Sequence, residues 1–390
     1  MSVKQNKKIK VLVAMSGGVD SSVAAALLVA QGYDVTGAFM VNYEDEITRI
    51  RGGDYADSKC WTGDYQDALR VAAKLGIPLL RLNFVKEYKK TVLDYMYDEY
   101  RKGRTPNPDV LCNKFVKFGS WLDKAKEMGF DKLATGHYAR LRFVSARQAR
   151  LLVSKDANKD QTYFLHQLDQ EQLKHVLFPI GDYLKSEVRS LARKFNLSNA
   201  DKEESMGICF VGEVPMKEFL LKKIKSKPGK IILSPSAREG VRGSGSGGAI
   251  GEHDGLPFYT IGQRIGLEIR NLKLEIRRKD KESQPLYVID KNLKTNELVV
   301  GFGNDQLLYK KEIAAADVNW ISGQPPKFPL NCEARLRHRQ PLQKCIVYSP
   351  LGRGRGGLAV KFFKSQRAVT PGQFVVFYKN GECLGGGVIV

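Results

Sequence analysis

An apolar run, Ile9-Lys10-Val11-Leu12-Val13, passes directly into Ala14-Met15-Ser16-Gly17-Gly18-Val19-Asp20-Ser21-Ser22, and an alanine-rich helical pattern, Ser21–Ala30, follows at once. A strand that turns through small residues into a helix commits the chain to a βα unit, and repeated units of that kind imply a mostly parallel sheet. Glycines let backbone N–H groups approach an anion, and a helix N-terminus favours negative charge. The segment therefore suits a phosphate or pyrophosphate. No Gly-Lys-Ser/Thr closes it, so it is not a Walker A loop.

The alternation continues. Val35–Met40 and Leu79–Phe84 read as strands, and Asp131–Thr135 as a strand leading into Gly136-His137. Tyr65–Lys74, stopped by Gly76-Ile77-Pro78, reads as a helix, as do Val85–Tyr100, Lys114–Met128 and Asp182–Phe195. Ligands in such sheets bind beyond the carboxyl ends of the strands, where both glycine turns fall. The pattern then changes. Lys217–Lys230 reads as a basic helix ended by Pro228-Gly229, and Ser244–Gly248 as a Gly/Ser-rich loop. From about Leu286 come short alternating segments: Leu286–Asp290, Leu298–Gly301, Ala334–Arg337, Cys345–Tyr348, Leu358–Phe363 and Phe374–Tyr378. These predict an all-β domain, most simply a small barrel. The expected domains are 1–215, 216–284 and 285–390.

With 390 residues the chain is long enough for two or three domains. Lys and Arg number 63 against 42 Asp and Glu, a net charge of +21 that favours a polyanionic partner, although a solvated basic surface gives the same count. No apolar run is long enough to cross a bilayer, and Met1–Lys10 lacks the apolar stretch of a signal peptide, so a cytoplasmic location is expected. The six cysteines are scattered without Cys-x-x-Cys spacing, which argues against a disulfide framework or structural zinc.

Four further segments carry chemistry. In Gly103-Arg104-Thr105-Pro106-Asn107-Pro108-Asp109-Val110-Leu111-Cys112-Asn113 two prolines stiffen a loop, and Cys112 is expected where the helix Lys114–Met128 begins, a position that favours thiolate. In Met206-Gly207-Ile208-Cys209-Phe210-Val211-Gly212 a cysteine lies between glycines, suited to carry a labile sulfur. Ala134-Thr135-Gly136-His137-Tyr138-Ala139-Arg140 offers a backbone approach and a polar group at a strand end. Lys159-Asp160-Gln161-Thr162-Tyr163-Phe164-Leu165 pairs polar groups with rings that can stack on a base. Taken singly, each segment also reads as an ordinary loop, with packed thiols, a structural histidine and core aromatics.

Ser-Gly-Gly-Val-Asp-Ser-Ser resembles the PP-loop of ATP pyrophosphatases, and the motifs together resemble the tRNA-specific 2-thiouridylases. The resemblance runs from about Lys10 to Val390 and includes Gly251-Glu252-His253-Asp254-Gly255, Tyr259-Thr260-Ile261-Gly262-Gln263-Arg264 and Pro371-Gly372-Gln373. It implies an α/β PP-loop parallel-sheet domain, a small central domain and a C-terminal β-barrel. It also implies an enzyme that uses ATP and Mg2+ to adenylate O2 of a wobble uridine and replace that oxygen with sulfur, releasing AMP and pyrophosphate. Ala14, Met15, Ser16, Gly17, Gly18, Val19, Asp20 and Ser21 would hold ATP, with Met40 and Gly136 near the nucleotide. Cys209 would receive a persulfide from an upstream donor or relay protein, Cys112 would act as nucleophile, and Asp109 would act on the base. The sulfur step would leave the two cysteines as a disulfide or pass through released sulfide. Asn107, Pro108 and Asp109 would line the base pocket, while His137, Lys159, Asp160, Gln161, Arg337, His338 and Gln373 would touch tRNA of the Lys, Glu or Gln type. No protein-held metal site is implied. Two other classes share parts of the pattern: a nitrogen-transferring PP-loop synthetase, and a non-catalytic RNA-binding protein with a vestigial loop.

Overall fold

The computed structural model describes residues 8–44, 62–145, 148–203, 215–239, 249–265, 285–349 and 357–390. The first seven strands are β1 (Lys10–Ala14), β2 (Asp34–Val41), β3 (Leu79–Asn83), β4 (Lys132–Ala134), β5 (Arg140–Ser145), β6 (Gln148–Leu152) and β7 (Val176–Leu177). Five of them form a parallel sheet in the order β3-β2-β1-β4-β7. Period-2 alternation decides what each face packs against. Val11 and Val13 are buried with Val35 and Phe39 on one face, beneath helices α1 (Val19–Ala30) and α2 (Thr62–Leu75) and the helix Lys185–Lys194. Leu12, Ala38, Met40 and Leu133 are buried on the other, against helical stretches α3 (85–101) and α4 (108–127). Helix α1 ends where Gly32 takes φ +84°, the left-handed conformation that closes a helix at low cost for glycine.

A second sheet, ordered β10-β11-β12-β8-β9, is built from β8 (Gly229–Leu233), β9 (Ala249–His253), β10 (Arg264–Ile265), β11 (Leu286–Asn292) and β12 (Glu297–Phe302). The third contains β13 (Tyr309–Trp320), β14 (Leu330–Arg335), β15 (Gln343–Tyr348), β16 (Leu358–Arg367), β17 (Phe374–Lys379) and β18 (Glu382–Ile389). Strand β13 pairs with both β16 and β18, which closes these six strands into a barrel. The hairpin β5–β6 leaves the first domain and pairs with β18, placing Leu151 opposite Cys383.

Two expectations are corrected. Leu286–Asp290 and Leu298–Gly301, read as the opening strands of the C-terminal barrel, lie in β11 and β12, which pair with β10 and β8 in the middle sheet. The basic helix expected over Lys217–Lys230 is a short one, Met216–Leu221, followed by turns and then β8 from Gly229. Its buried residues, Phe219 and Leu220, give a single helical turn of apolar contact; Ile224 is buried in the turns that follow, and Ile231 and Leu233 then repeat at the strand period. The Gly/Ser stretch Ser244–Gly248 lies outside the described residues. Among the described residues no helix is long and apolar enough to cross a membrane.

The junction between the first domain and the barrel holds a buried histidine. His166 Nδ1 donates to the Tyr163 carbonyl at 2.7 Å, and burial pushes its pKa down to about 4. A depressed folded-state pKa means the unfolded chain binds the proton first, so stability is full above the unfolded value near 6.5 and is lost as pH falls toward 4. His166 should account for roughly 2 kcal/mol of the stability lost between pH 7.5 and pH 5, so denaturant titrations at the two values should differ by about that much less once His166 is replaced with a neutral isostere such as Gln.

Candidate active site

Strand β1 ends at the middle of the parallel sheet, and the chain turns there into α1. Met15 N–H donates to Ala38 O at 2.9 Å, which keeps the turn against β2. Gly17 has φ +76°, and a Cβ at that position would lie 2.2 Å from the Asp64 carbonyl oxygen, so only glycine fits. Ser21 Oγ accepts from the Ser16 N–H and donates to Gly18 O; Ser22 Oγ also donates to Gly18 O. Asn199 Nδ2 donates to Gly17 O and Ser22 Oγ from behind. Lys202 Nζ donates to Asp64 and Asp67 at 2.7 and 2.6 Å, which ties α2 to the same loop. The result is a braced turn at a helix N-terminus, the geometry of an anion cradle. Gly136 closes one side: a Cβ there would lie 2.7 Å from the Ser21 amide nitrogen. Asp20, in the first turn of α1, accepts from Lys185 Nζ at 2.6 Å and from the Tyr138 hydroxyl at 3.0 Å. Lys185, Asn199 and Lys202 were missed in the sequence because long-range packing alone brings them here.

The second half of the site is α4. Asn107 caps it, accepting from the Val110 N–H at 3.2 Å, and Pro108 occupies the first turn, where a missing N–H costs nothing. The helix therefore starts ahead of Asp109. The expectation that Cys112 opens the helix is corrected: Cys112 lies one turn in, three residues after Asp109 and on the same face. Cys112 is fully buried, in the core that also holds Leu12, Ala38 and Met40. The barrel grips the loop before the cap. Thr105 N–H donates to Pro371 O at 2.9 Å, Gln373 Nε2 donates to Thr105 O and Pro106 O, and Asn107 Nδ2 donates to Gln373 Oε1. Gly372 is required because a Cβ would press against Arg104 and Thr105 at 3.0 Å.

Several residues expected at an RNA surface are internal. Asp160 is 2% exposed and accepts from Ser154 N–H, Thr162 Oγ1 and Arg335 Nη1; burial nonetheless raises its pKa. Its role here is to join the first domain to the barrel, through Arg335 stacked over Tyr378. His137 is buried between Phe118 and Phe178, pairs with Thr135 Oγ1 at 2.8 Å, and is held well below the usual imidazole range by burial and by Lys117. Gln161 Oε1 accepts from the Tyr138 N–H. Arg337 remains exposed, donating from Nη2 to Ala368 O, while His338 packs on Phe164, and burial with neighbouring cations lowers its pKa to about 4. Lys159 is half-buried. Cys209, Cys60 and the basic segment Arg270–Lys281 lie outside the described residues. Among the described residues, no group of three or more His, Cys, Asp or Glu side chains is arranged to hold a metal.

Three family models cover nearly the whole chain: tRNA methyl transferase HUP domain over residues 9–213, tRNA methyl transferase PRC-barrel domain over 217–302, and aminomethyltransferase beta-barrel domain over 310–389. The chain is 45% identical over 387 residues to the tRNA-specific 2-thiouridylase MnmA 2 of Geobacillus kaustophilus, covering 99% of this chain and 96% of that protein. It is 45% identical to the corresponding protein of Halalkalibacterium halodurans over 100% of this chain and 96% of that one. Against that of Francisella tularensis subsp. novicida the identity is 44%, over 99% and 100%. With a braced PP-loop, a three-domain build and similarity along its full length, the chain belongs to the tRNA-specific 2-thiouridylase family.

Proposed function

We propose that this protein is a tRNA-uridine 2-sulfurtransferase that activates a wobble uridine with ATP and installs sulfur at C2. The observation that carries the reading is the pairing of two halves on one parallel sheet: an anion cradle at the end of β1, and Asp109 with Cys112 one turn apart on α4, packed over β1 and β2. Ser16, Gly17, Gly18 and Ser21 would hold the polyphosphate. Lys185 balances the Asp20 carboxylate, which would otherwise repel the phosphates.

Magnesium fits this site as an ion carried on the nucleotide. The nearby donors are hard oxygens, Asp20 and the two serine hydroxyls, and Mg2+ needs only one or two carboxylates besides phosphates. When bound it offsets polyphosphate charge.

The uridine O2 attacks the α-phosphate of ATP, pyrophosphate leaves, and C2 becomes electrophilic. Asp109, in the first turn of the helix, would orient the base and handle its proton. Cys209 would carry a persulfide from an upstream donor. By one route its terminal sulfur bonds C2 and AMP leaves with the C2–O bond. Cys112 thiolate then attacks the inner sulfur, giving 2-thiouridine and a Cys112–Cys209 disulfide. By the other, Cys112 attacks first and releases sulfide, which displaces AMP. Both routes end in the same disulfide, which an external thiol must reduce. That need for a reducing environment supports a cytoplasmic location.

The direct test is pyrophosphate release from ATP with and without unmodified tRNA of the Lys, Glu or Gln type. Release that depends on tRNA and on its wobble uridine is expected; release that ignores tRNA would point to another adenylated substrate. Lys223, Lys225 and Lys227 are exposed beside the middle sheet and are assigned to tRNA phosphates. Replacing Lys223 and Lys225 with Ala should weaken tRNA binding and lower the salt slope of log K by about 1 per lysine. A nitrocellulose-filter titration across salt concentrations reads that slope.

A further inference from the structure

A cavity of about 650 Å3 opens where the three domains meet. Its walls include Tyr100 from α3, Lys217, Phe258 and Tyr259 from the middle domain, and Arg337 and Gln373 from the barrel. The size lies within the range of small-ligand sites, about 300–1,000 Å3.

The lining selects a chemistry. Among the described residues it holds two cations and no acid, so these residues favour an anionic ligand. One cation, Lys217, is already paired with Asp254, and Arg337 donates to Ala368 O. Two half-buried rings, Phe258 and Tyr259, are available for stacking, while Tyr100 is buried. Thr260, Gln263 and Thr370 add neutral hydroxyl and amide groups that match base edges. Aromatic faces, neutral edges and an arginine together describe a nucleotide.

The position is as informative as the lining. Thr260 Oγ1 lies 3.3 Å from Thr105 Oγ1, and Gln373 binds Thr105, Pro106 and Asn107. Two wall residues of the cavity are thus the same residues that hold the loop capping α4. On the other side of that loop, Lys291 Nζ donates to Gly103 O at 3.0 Å.

We propose that this cavity holds a nucleotide flanking the reacting uridine, with its base against Tyr259 and its phosphate toward Arg337. The proposal rests on the tRNA reading above and deepens it. Filling the cavity presses on Thr260 and Gln373, and through them on Thr105–Asn107, so the flanking base is sensed by the loop that sets Asp109 and Cys112. The cavity then contributes to the choice of anticodon.

The test uses the full-length protein and anticodon stem–loop RNAs without ATP, read by fluorescence anisotropy. One RNA is intact, and two carry an abasic site on either side of the target uridine. One abasic site should weaken wild-type binding about tenfold. Tyr259→Ala should weaken binding of the intact RNA by a similar factor and be indifferent to that abasic site, whereas Tyr259→Phe should bind like wild type. Wild-type binding insensitive to both abasic sites, or effects of Tyr259→Ala and the abasic site that multiply, would overturn the proposal. A crosslinking arm covers the case in which Tyr259→Ala does not fold. Irradiated RNA with 4-thiouridine at the sensitive flank should label the wild-type peptide carrying Tyr259; labelling confined to other peptides would overturn the proposal. Failure of the thiolation reading would show instead as no 2-thiouridine in the intact RNA after adding ATP and sulfide, while the binding and crosslinking arms still decide the cavity.

Discussion

Cys112→Ser is expected to reduce 2-thiouridine formation by about a thousandfold or more, while tRNA and ATP binding stay within about twofold of wild type. A serine hydroxyl at this buried position stays protonated and cannot exchange with a disulfide or persulfide. The replacement is nearly isosteric and α4 is capped independently by Asn107, so the fold should survive, with a cost of about 1–2 kcal/mol for burying the hydroxyl. Tight binding with lost turnover is the signature of a group used only in the chemical step. Single-turnover kinetics alongside equilibrium binding separates the two.

Gly17→Ala should produce the second large effect, at the turn proposed to hold the nucleotide. The added methyl would meet the Asp64 backbone oxygen at 2.2 Å in a left-handed conformation that L-residues avoid. Strain of about 1–2 kcal/mol from the conformation, plus about 1–3 kcal/mol from overpacking, forces the turn to move or α2 to lift away. Either response disturbs the Ser16–Ser21 bonds and the Lys202 brace. The KM for ATP should rise by about a hundredfold, and the melting temperature should fall by several degrees. Gly63→Ala provides the control in the same neighbourhood, because nothing lies within 4 Å of a Cβ there. An unchanged KM in Gly17→Ala would remove the turn from nucleotide binding.

The PP-loop turn was legible in the sequence as a strand–turn–helix because its signal is local. A strand, a glycine turn and a helix N-terminus follow one another within Lys10–Ala30, and the sheet around them obeys the expected alternation. The α4 half was legible in content and misplaced in register. Asn107 and Pro108 are a capping residue and a first-turn proline, and read that way they start the helix before Asp109 rather than at Lys114. Sheet membership was not legible. The alternation in Leu286–Asn292 and Glu297–Phe302 marks strands, and nothing local distinguishes pairing with β8 from pairing with the barrel. Strand β18 was not among the expected segments, and Gly385-Gly386-Gly387 carry no side chains from which an alternation could be read. Close backbone approach explains those glycines: a Cβ at Gly385 would lie 2.0 Å from Asn319 O, and one at Gly386 would lie 2.4 Å from Val375 O. Asp160 and His137 illustrate the same limit. Their residue types suit RNA contact, and only the tertiary structure reveals that both are enclosed.

The central claim is sulfur transfer to uridine through Cys112. Its most direct measurement is mass spectrometry of nucleosides from unmodified tRNA incubated with the protein, ATP, magnesium and a sulfide source, with Cys112→Ser in parallel. The account predicts ATP-dependent 2-thiouridine at the wobble position with the wild-type protein and none above background with Cys112→Ser. Equal 2-thiouridine from both proteins, or AMP formation with unmodified uridine throughout, would contradict it.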